Sequence, residues 1–360
     1  MAMIDVAILG ATGAVGQRFV QLLEHHPWFR VAEVAASERS VGRAYAEACH
    51  WLLPTPMPSS VAQLTVQPLD ADFHSPVILS ALPSEVAQSL EPALAQRGHL
   101  VSSNASAHRM ADDVPILLPE LNADHVQLVE VQRRKRGFSG TLVTMSNCTT
   151  VPVAVALAPL LTFGVQQVQV VSLQAISGSG YPGVPSFDIF DNILPYINGE
   201  EEKVEREPRK ILGKLSGDQI MPLEATFSAS CNRVPVLDGH TVVVSVKFAN
   251  PPSLETIRQA WQSFQPHAWA RHLPSLPDSI LLYNDGLDRP QPRLDRDNGR
   301  GMATTIGRLR ACNVLDVKFV ALSHNTVRGA AGGAILNAEL LVAQGYGQHL
   351  GLPSVQHLHA

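Results

Sequence analysis

Apolar and polar positions fall into two textures along this 360-residue chain. In the first, short apolar runs alternate with amphipathic stretches. Residues 4–9, 31–36, 76–81 and 99–102 read as strands, and helices are predicted from Gly16 to about residue 25 and over 84–96. Such strand–helix alternation implies a parallel sheet with right-handed crossovers. Past Cys148 the pattern changes. Residues 151–161 read as a helix, 166–175 alternate like a strand, and 177–186 form a loop rich in Gly, Ser and Pro. Helices are predicted over 206–215 and 254–264. Strand-like runs at 231–235 and 240–248 flank Asp238-Gly239, a dipeptide that favours hairpin turns, and 315–322 reads as a further strand. A last apolar helix, 330–342, is expected to return to the first sheet.

The first strand runs into Gly10-Ala11-Thr12-Gly13-Ala14-Val15-Gly16 and then a helix. In that setting the three glycines serve a tight turn, backbone access to a pyrophosphate, and close helix packing. The predicted fold is therefore α/β. A Rossmann-type NADP-binding domain spans 1–147 and is completed by a C-terminal helix at about 326–345. An α+β domain with a mostly antiparallel sheet spans 148–325. The length suits two cores. At the end of the second strand stand Ser37, Glu38, Arg39 and Ser40. An acid there suits a ribose hydroxyl and an arginine suits a 2′-phosphate, so the code is mixed. The two hydroxyls beside Arg39 favour NADP over NAD, the alternative being a solvated arginine.

Composition narrows the classes. A net charge of −5 gives no electrostatic case for nucleic acid, and the basic run Arg133-Arg134-Lys135-Arg136 reads as a solvated loop. The four cysteines, 49, 148, 231 and 312, show no metal-ligand spacing, which suits a reduced, cytoplasmic protein without a metal. No run reaches the roughly 18 apolar residues of a membrane span, and no signal peptide is read at the N-terminus.

Candidate chemistry centres on Cys148 in Ser146-Asn147-Cys148-Thr149-Thr150, on a predicted strand-to-helix turn. A helix N-terminus behind the sulfur would favour the thiolate, the attacking form. A thiol nucleophile with a nicotinamide implies redox chemistry at the acyl level through a thioester. His240 is the leading acid/base candidate of 14 histidines, since it opens a strand and shares a face with Val242, Val244 and Val246. A hairpin would bring Arg233 beside it, and a guanidinium suits a carboxylate. Arg109 ends the hydroxyl-rich loop after the fourth predicted strand, where ligands bind in this architecture. The same pattern also suits a simple helix cap at Ser106.

Taken in order, Ser146–Thr150, Gln174–Gly180 (QAISGSG), 233–240 (RVPVLDGH), 289–296 (RPQPRLDR) and 325–329 (NTVRG) resemble the aspartate-semialdehyde dehydrogenase family, in particular its archaeal and fungal branch. The resemblance implies NADPH-dependent reduction of β-aspartyl phosphate to aspartate semialdehyde and phosphate, on the route to lysine, threonine and methionine. By the same resemblance Cys148 is the acyl-thioester nucleophile, His240 the acid/base and Gln174 the residue that orients substrate. Arg233 grips the α-carboxylate, Glu207 meets the amino group, and Lys210, Arg109 and Asn104 hold phosphate. Gly10, Thr12, Gly13, Ala14, Val15, Ser37, Arg39, Ser40, Ser177, Gly178 and Asn325 fall where that family contacts NADP, and a homodimer or homotetramer is implied, with 148–325 as the α+β catalytic and dimerisation domain. Arg300 departs from the branch, which usually has a smaller residue there. Malonyl-CoA reductase of the same branch and a non-catalytic NADP-binding sensor are the alternative readings.

Overall fold

The computed structural model describes residues 3–352. Its first sheet is built from β1 (Ile4–Leu9), β2 (Phe29–Ala35), β3 (Val66–Gln67), β4 (Val77–Ser80), β5 (Leu100–Ser103) and β6 (Thr141–Thr144), in the order β3-β2-β1-β4-β5-β6. All five pairings are parallel. The strands β4 and β5 are buried along their whole length, as expected of a sheet covered on both faces. Helices α1 (Ala14–Leu23), α2 (Ser84–Gln96) and α3 (Leu128–Arg136) accompany it. The basic run is thus the last turn of α3 and not a loop. There its charges face the helix's negative end, and Gly137 at φ +69° closes the helix.

The second sheet contains β7 (Val165–Gln174), β10 (Thr226–Arg233), β11 (His240–Phe248), β12 (Leu281–Asn284), β13 (Thr304–Ala311) and β14 (Val317–Ser323), in the order β10-β7-β11-β14-β13-β12. Between β7 and β10 the short strands β8 (Lys214–Ser216) and β9 (Gln219–Met221) form a separate ribbon. The three central pairings are antiparallel and the two outer ones parallel, so the sheet is mixed. One expectation is overturned here. β10 and β11 are not a hairpin, because β7 lies between them and pairs with both. Asp238-Gly239 turns the chain, with Gly239 at φ +102°, but returns it one strand further on.

Helix α4 (Thr150–Leu157) leaves β6 and packs on β11, β13 and β14, so the turn at 145–149 carries the chain from one sheet to the other. Helix α5 (Glu200–Ile211) packs on α4 and β10, and α6 (Leu254–Gln262) anchors Trp261, whose Nε1 donates to the Ala156 carbonyl at 2.9 Å. The last helix, α7 (Gly332–Ala343), returns to β4, β5 and β6. All of its residues are buried, which explains a sequence apolar apart from Asn337 and Glu339.

Candidate active site

Cys148 sits on the crossing turn, and Asn147 governs that turn. The Asn147 Oδ1 accepts from the backbone N–H groups of Thr149 (2.9 Å) and Thr150 (3.3 Å). Its Nδ2 donates to both oxygens of Glu200 (3.0 and 2.9 Å), and its backbone N–H donates to Glu207 Oε2 at 2.6 Å. The amides of Thr149 and Thr150, at the start of α4, are therefore engaged by Asn147. Burial pushes the Cys148 thiol up to about 12, with Glu200 adding to the shift and Arg109, Arg233 and Lys203 opposing it. Burial thus favours the thiol, while these three cations favour the thiolate expected from the sequence.

His240 and Arg233 converge without a hairpin. They stand on opposite sides of β7, Arg233 in register with Gln174 and Thr241 with Leu173, so all three strand ends meet at Ala175. Arg233 Nη1 donates to the Ala175 carbonyl at 2.8 Å, and the Ala175 N–H donates to His240 Nδ1 at 3.0 Å. Gly178 closes the cluster. A Cβ added there would lie 2.8 Å from Arg233 Nη1 and 3.1 Å from His240 Nε2. Burial, helped by Arg233 and His324, pushes the His240 imidazole down to about 3, so it is neutral. Because Nδ1 already accepts a hydrogen bond, the proton of the neutral ring resides on Nε2. That Nε2 is buried without a protein partner, beside Gly178. Gln174 is buried next to this group and donates to Ser172 Oγ at 3.2 Å.

A second charged cluster backs the turn. Arg109 donates to Glu207 Oε1 (3.0 Å) and to the Asn104 carbonyl (2.7 Å), while its Nε is buried without a partner. Lys210 donates to the carbonyls of Arg109, Ala111 and Val114, each at 2.7 Å. Its three protons are all engaged, so in this structure Lys210 holds the Arg109 loop. Burial lowers the Lys210 ammonium to about 8. Glu207 has one oxygen on Arg109 and the other on the Asn147 amide. Asn104 Nδ2 donates to the Ser80 carbonyl at 3.3 Å.

The glycine-rich turn fits a dinucleotide. Gly10 has φ +73°, and a Cβ there would be 2.6 Å from the Ala81 carbonyl oxygen. A Cβ on Gly16 would lie 2.3 Å from the Gly10 carbonyl oxygen, whereas Gly13 is exposed and free of such crowding. No side chain caps α1, and its first internal bond runs from Gln17 N–H to Gly13 O, so the amides of Ala14 and Val15 remain at an open helix N-terminus. Thr12 contributes its carbonyl to Gln17 Nε2. Ser37 and Arg39 are exposed beyond β2, and the Ser40 N–H bonds the Ser37 carbonyl at 2.8 Å. A cavity of about 560 Å³ joins Ala14 and Arg18 on α1 to Ser177, Tyr181 and His324 across the cleft. Asn325 ties its far wall together, donating to Ser177 Oγ and accepting from the Gly239 N–H, both at 2.8 Å.

Asn147 and Glu200 were not among the predicted site residues. The signal was present, because an amide preceding a turn cysteine is a potent helix cap and Glu200 opens an acidic run. Only the fold brings the two together.

The description "Semialdehyde dehydrogenase, NAD binding domain" matches residues 5–129, and "Semialdehyde dehydrogenase, dimerisation domain" matches 157–328. Aspartate-semialdehyde dehydrogenase of Archaeoglobus fulgidus is 48% identical over 341 residues, 94% of this chain and 98% of that protein. The Trichophyton rubrum protein of the same name is 46% identical over 353 residues, 94% and 97% of the two chains. A solved structure of aspartate semialdehyde dehydrogenase with NADP from Candida albicans superposes with a TM-score of 0.88. It is 39% identical and covers 96% of this chain and 100% of that one.

Proposed function

This chain belongs to the aspartate-semialdehyde dehydrogenase family, and from that premise we propose how its own residues reduce β-aspartyl phosphate to aspartate semialdehyde and phosphate with NADPH. The observation that carries the reading is the meeting of Arg233, His240 and Gln174 at Ala175, with the charge of Arg233 acting on Cys148. One guanidinium N–H is spent on the Ala175 carbonyl, and the others remain to grip the substrate's α-carboxylate. Gln174 orients the acyl group, and Glu207, whose two oxygens bond Arg109 and the Asn147 N–H, is assigned to the amino group by family resemblance. Arg109, with Asn104 and the charge of Lys210 behind it, stabilises the leaving phosphate.

Proton placement follows from the resting states. The Cys148 sulfur attacks the carbonyl carbon, the C–O bond to phosphate breaks, and the thiol proton leaves on the phosphate. His240 cannot accept that proton at Nε2, since the nitrogen already carries one. Its N–H instead donates to the acyl oxygen as negative charge builds there. When bound at the glycine-rich turn, NADPH would supply the hydride that reduces the thioester carbon. The C–S bond then breaks to release aldehyde, and the sulfur recovers a proton from solvent through the cleft.

The cofactor is assigned to Gly10, Gly13, Ala14 and Val15 at the pyrophosphate, to Ser37, Arg39 and Ser40 at the 2′-phosphate, and to Ser177, Gly178 and Asn325 at the nicotinamide side. We set the domain boundary at 147/148, with residues 326–345 returned to the first domain. Tyr181, Phe187, Phe190, Ile193 and Tyr196 expose one apolar stretch, with Phe187 98% exposed. A second copy is its proposed cover, giving a homodimer or a dimer of dimers. No described helix is long and apolar enough to cross a membrane, the four cysteines are unpaired, and we place the enzyme in the cytoplasm.

The test compares initial rates with two substrates. Phosphate-supported oxidation of aspartate semialdehyde by NADP should exceed malonyl-CoA reduction by NADPH at least a hundredfold, about 2.7 kcal/mol of discrimination. The reverse preference would overturn the assignment.

A further inference from the structure

The segment after β14 forms a one-turn π-helix, Val327–Ala331. Two of its hydrogen bonds span five residues, Gly329 N–H to the His324 carbonyl (3.0 Å) and Ala331 N–H to the Thr326 carbonyl (3.2 Å). Such turns are rare and cluster at functional sites. This one places Gly329 directly against the nucleophile turn. A Cβ added at Gly329 would lie 2.7 Å from the Cys148 Cβ and 3.0 Å from its Cα, so one of the two segments would have to shift. Four residues on, a Cβ at Gly333 would be 2.5 Å from the Met145 Sδ. The backbone of this segment is therefore the wall on which residues 145–148 rest.

One side chain pins the wall. Arg328 and Glu120 are each 1% exposed. Arg328 donates through Nε to Glu120 Oε1 at 3.1 Å, and its Nη2 bonds the same oxygen. Glu120 lies on the short helix Pro119–Asn122, which Asn122 fastens to the Ile116 and Ile211 carbonyls. Arg328 Nη1 and Glu120 Oε2 are buried without partners. A buried pair with unmet donors and acceptors stabilises a fold little better than packed apolar residues. What it does supply is a fixed position for the turn that touches Cys148.

We infer that Arg328, anchored by Glu120, is a positioning residue that holds the Gly329 backbone against Cys148 and so sets the direction of the nucleophilic sulfur. The inference rests on the reading of Cys148 as the nucleophile. Because Asn325 stands on the same segment and bonds Ser177, the pair also fixes the nucleophile relative to the cofactor side of the cleft. Its disturbance should cost turnover rather than binding.

The experiment uses the full-length chain and three variants, Glu120→Gln, Arg328→Lys and Gly329→Ala. Two quantities are read: the kinetic constants, and the rate of iodoacetamide alkylation at Cys148, followed by peptide mass spectrometry across pH. All three variants should lose about tenfold or more in kcat with KM for NADP nearly unchanged, as expected for a displaced reacting atom. All three should also shift the alkylation profile of Cys148. Should the charge variants fail to fold, Gly329→Ala decides, because it leaves the ion pair intact. Wild-type kcat and alkylation in folded Gly329→Ala would overturn the inference. Alkylation does not depend on the substrate assignment, so its shift would uphold the positioning role even in a protein without semialdehyde activity.

Discussion

The backbone N–H of Ala175 donates to Nδ1 of His240 at 3.0 Å. That single bond sets the tautomer of a buried imidazole and leaves the proton of the neutral ring on Nε2. A neutral donor can be replaced by another, whereas a base cannot. His240→Gln, whose amide N–H can occupy the Nε2 position, should keep more activity than His240→Ala, which should lose on the order of 10²–10⁴ in kcat. Steady-state rates of the two variants provide the check, and equal losses would favour a base.

Acid should weaken the fold through the same chemistry. Burial holds His240 at about 3 and His324 at about 4, against about 6.5 when unfolded. The unfolded chain therefore takes up these protons first. The stability these neutral rings contribute is whole above pH ~6.5 and is lost as pH falls toward their folded values, on the order of 1 kcal/mol per unit and ring. Urea midpoints between pH 7.5 and 4.5 should decline, and His324→Gln should decline less steeply than wild type. Parallel slopes would contradict the assignment.

Much of this site was legible from residue order alone. Ile4–Leu9, Ser84–Gln96 and the face shared by His240 and Val242 emerge from period and burial, because a strand or helix with one apolar face records its environment locally. Strand order does not. Nothing between Arg233 and His240 reveals that β7 inserts between their strands, since a Gly at positive φ serves a hairpin and a wider crossing equally. The surroundings of Cys148 divide in the same way. The Asn147 cap on the Thr149 and Thr150 amides is local and readable, whereas Glu200, 53 residues beyond Asn147, reaches it only through the fold.

Cofactor choice should follow Arg39. With an exposed guanidinium beyond β2, Arg39→Asp should weaken NADPH about ten- to a hundredfold, the loss of one or two charge-assisted bonds, and leave NADH nearly unaffected. Fluorescence titration with both nucleotides measures the ratio. An unchanged ratio removes Arg39 from the phosphate site.

Lys210 carries a structural load that its charge alone does not reveal. Lys210→Met strips donors from three carbonyls in the Arg109 loop, at about 1–3 kcal/mol for each one left buried and unmet. The variant should melt earlier and need more phosphate in the oxidative direction. A lower melting point with unchanged phosphate KM would confine Lys210 to the scaffold.

The most direct measurement follows the sulfur of Cys148 itself. Mixing the protein with β-aspartyl phosphate in the absence of NADPH, quenching in acid and mapping peptides by mass should find an aspartyl group on Cys148 and one phosphate released per site. Cys148→Ser should yield neither while retaining NADP affinity. Full turnover by Cys148→Ser, or an acyl group on any other residue, would contradict the thioester route.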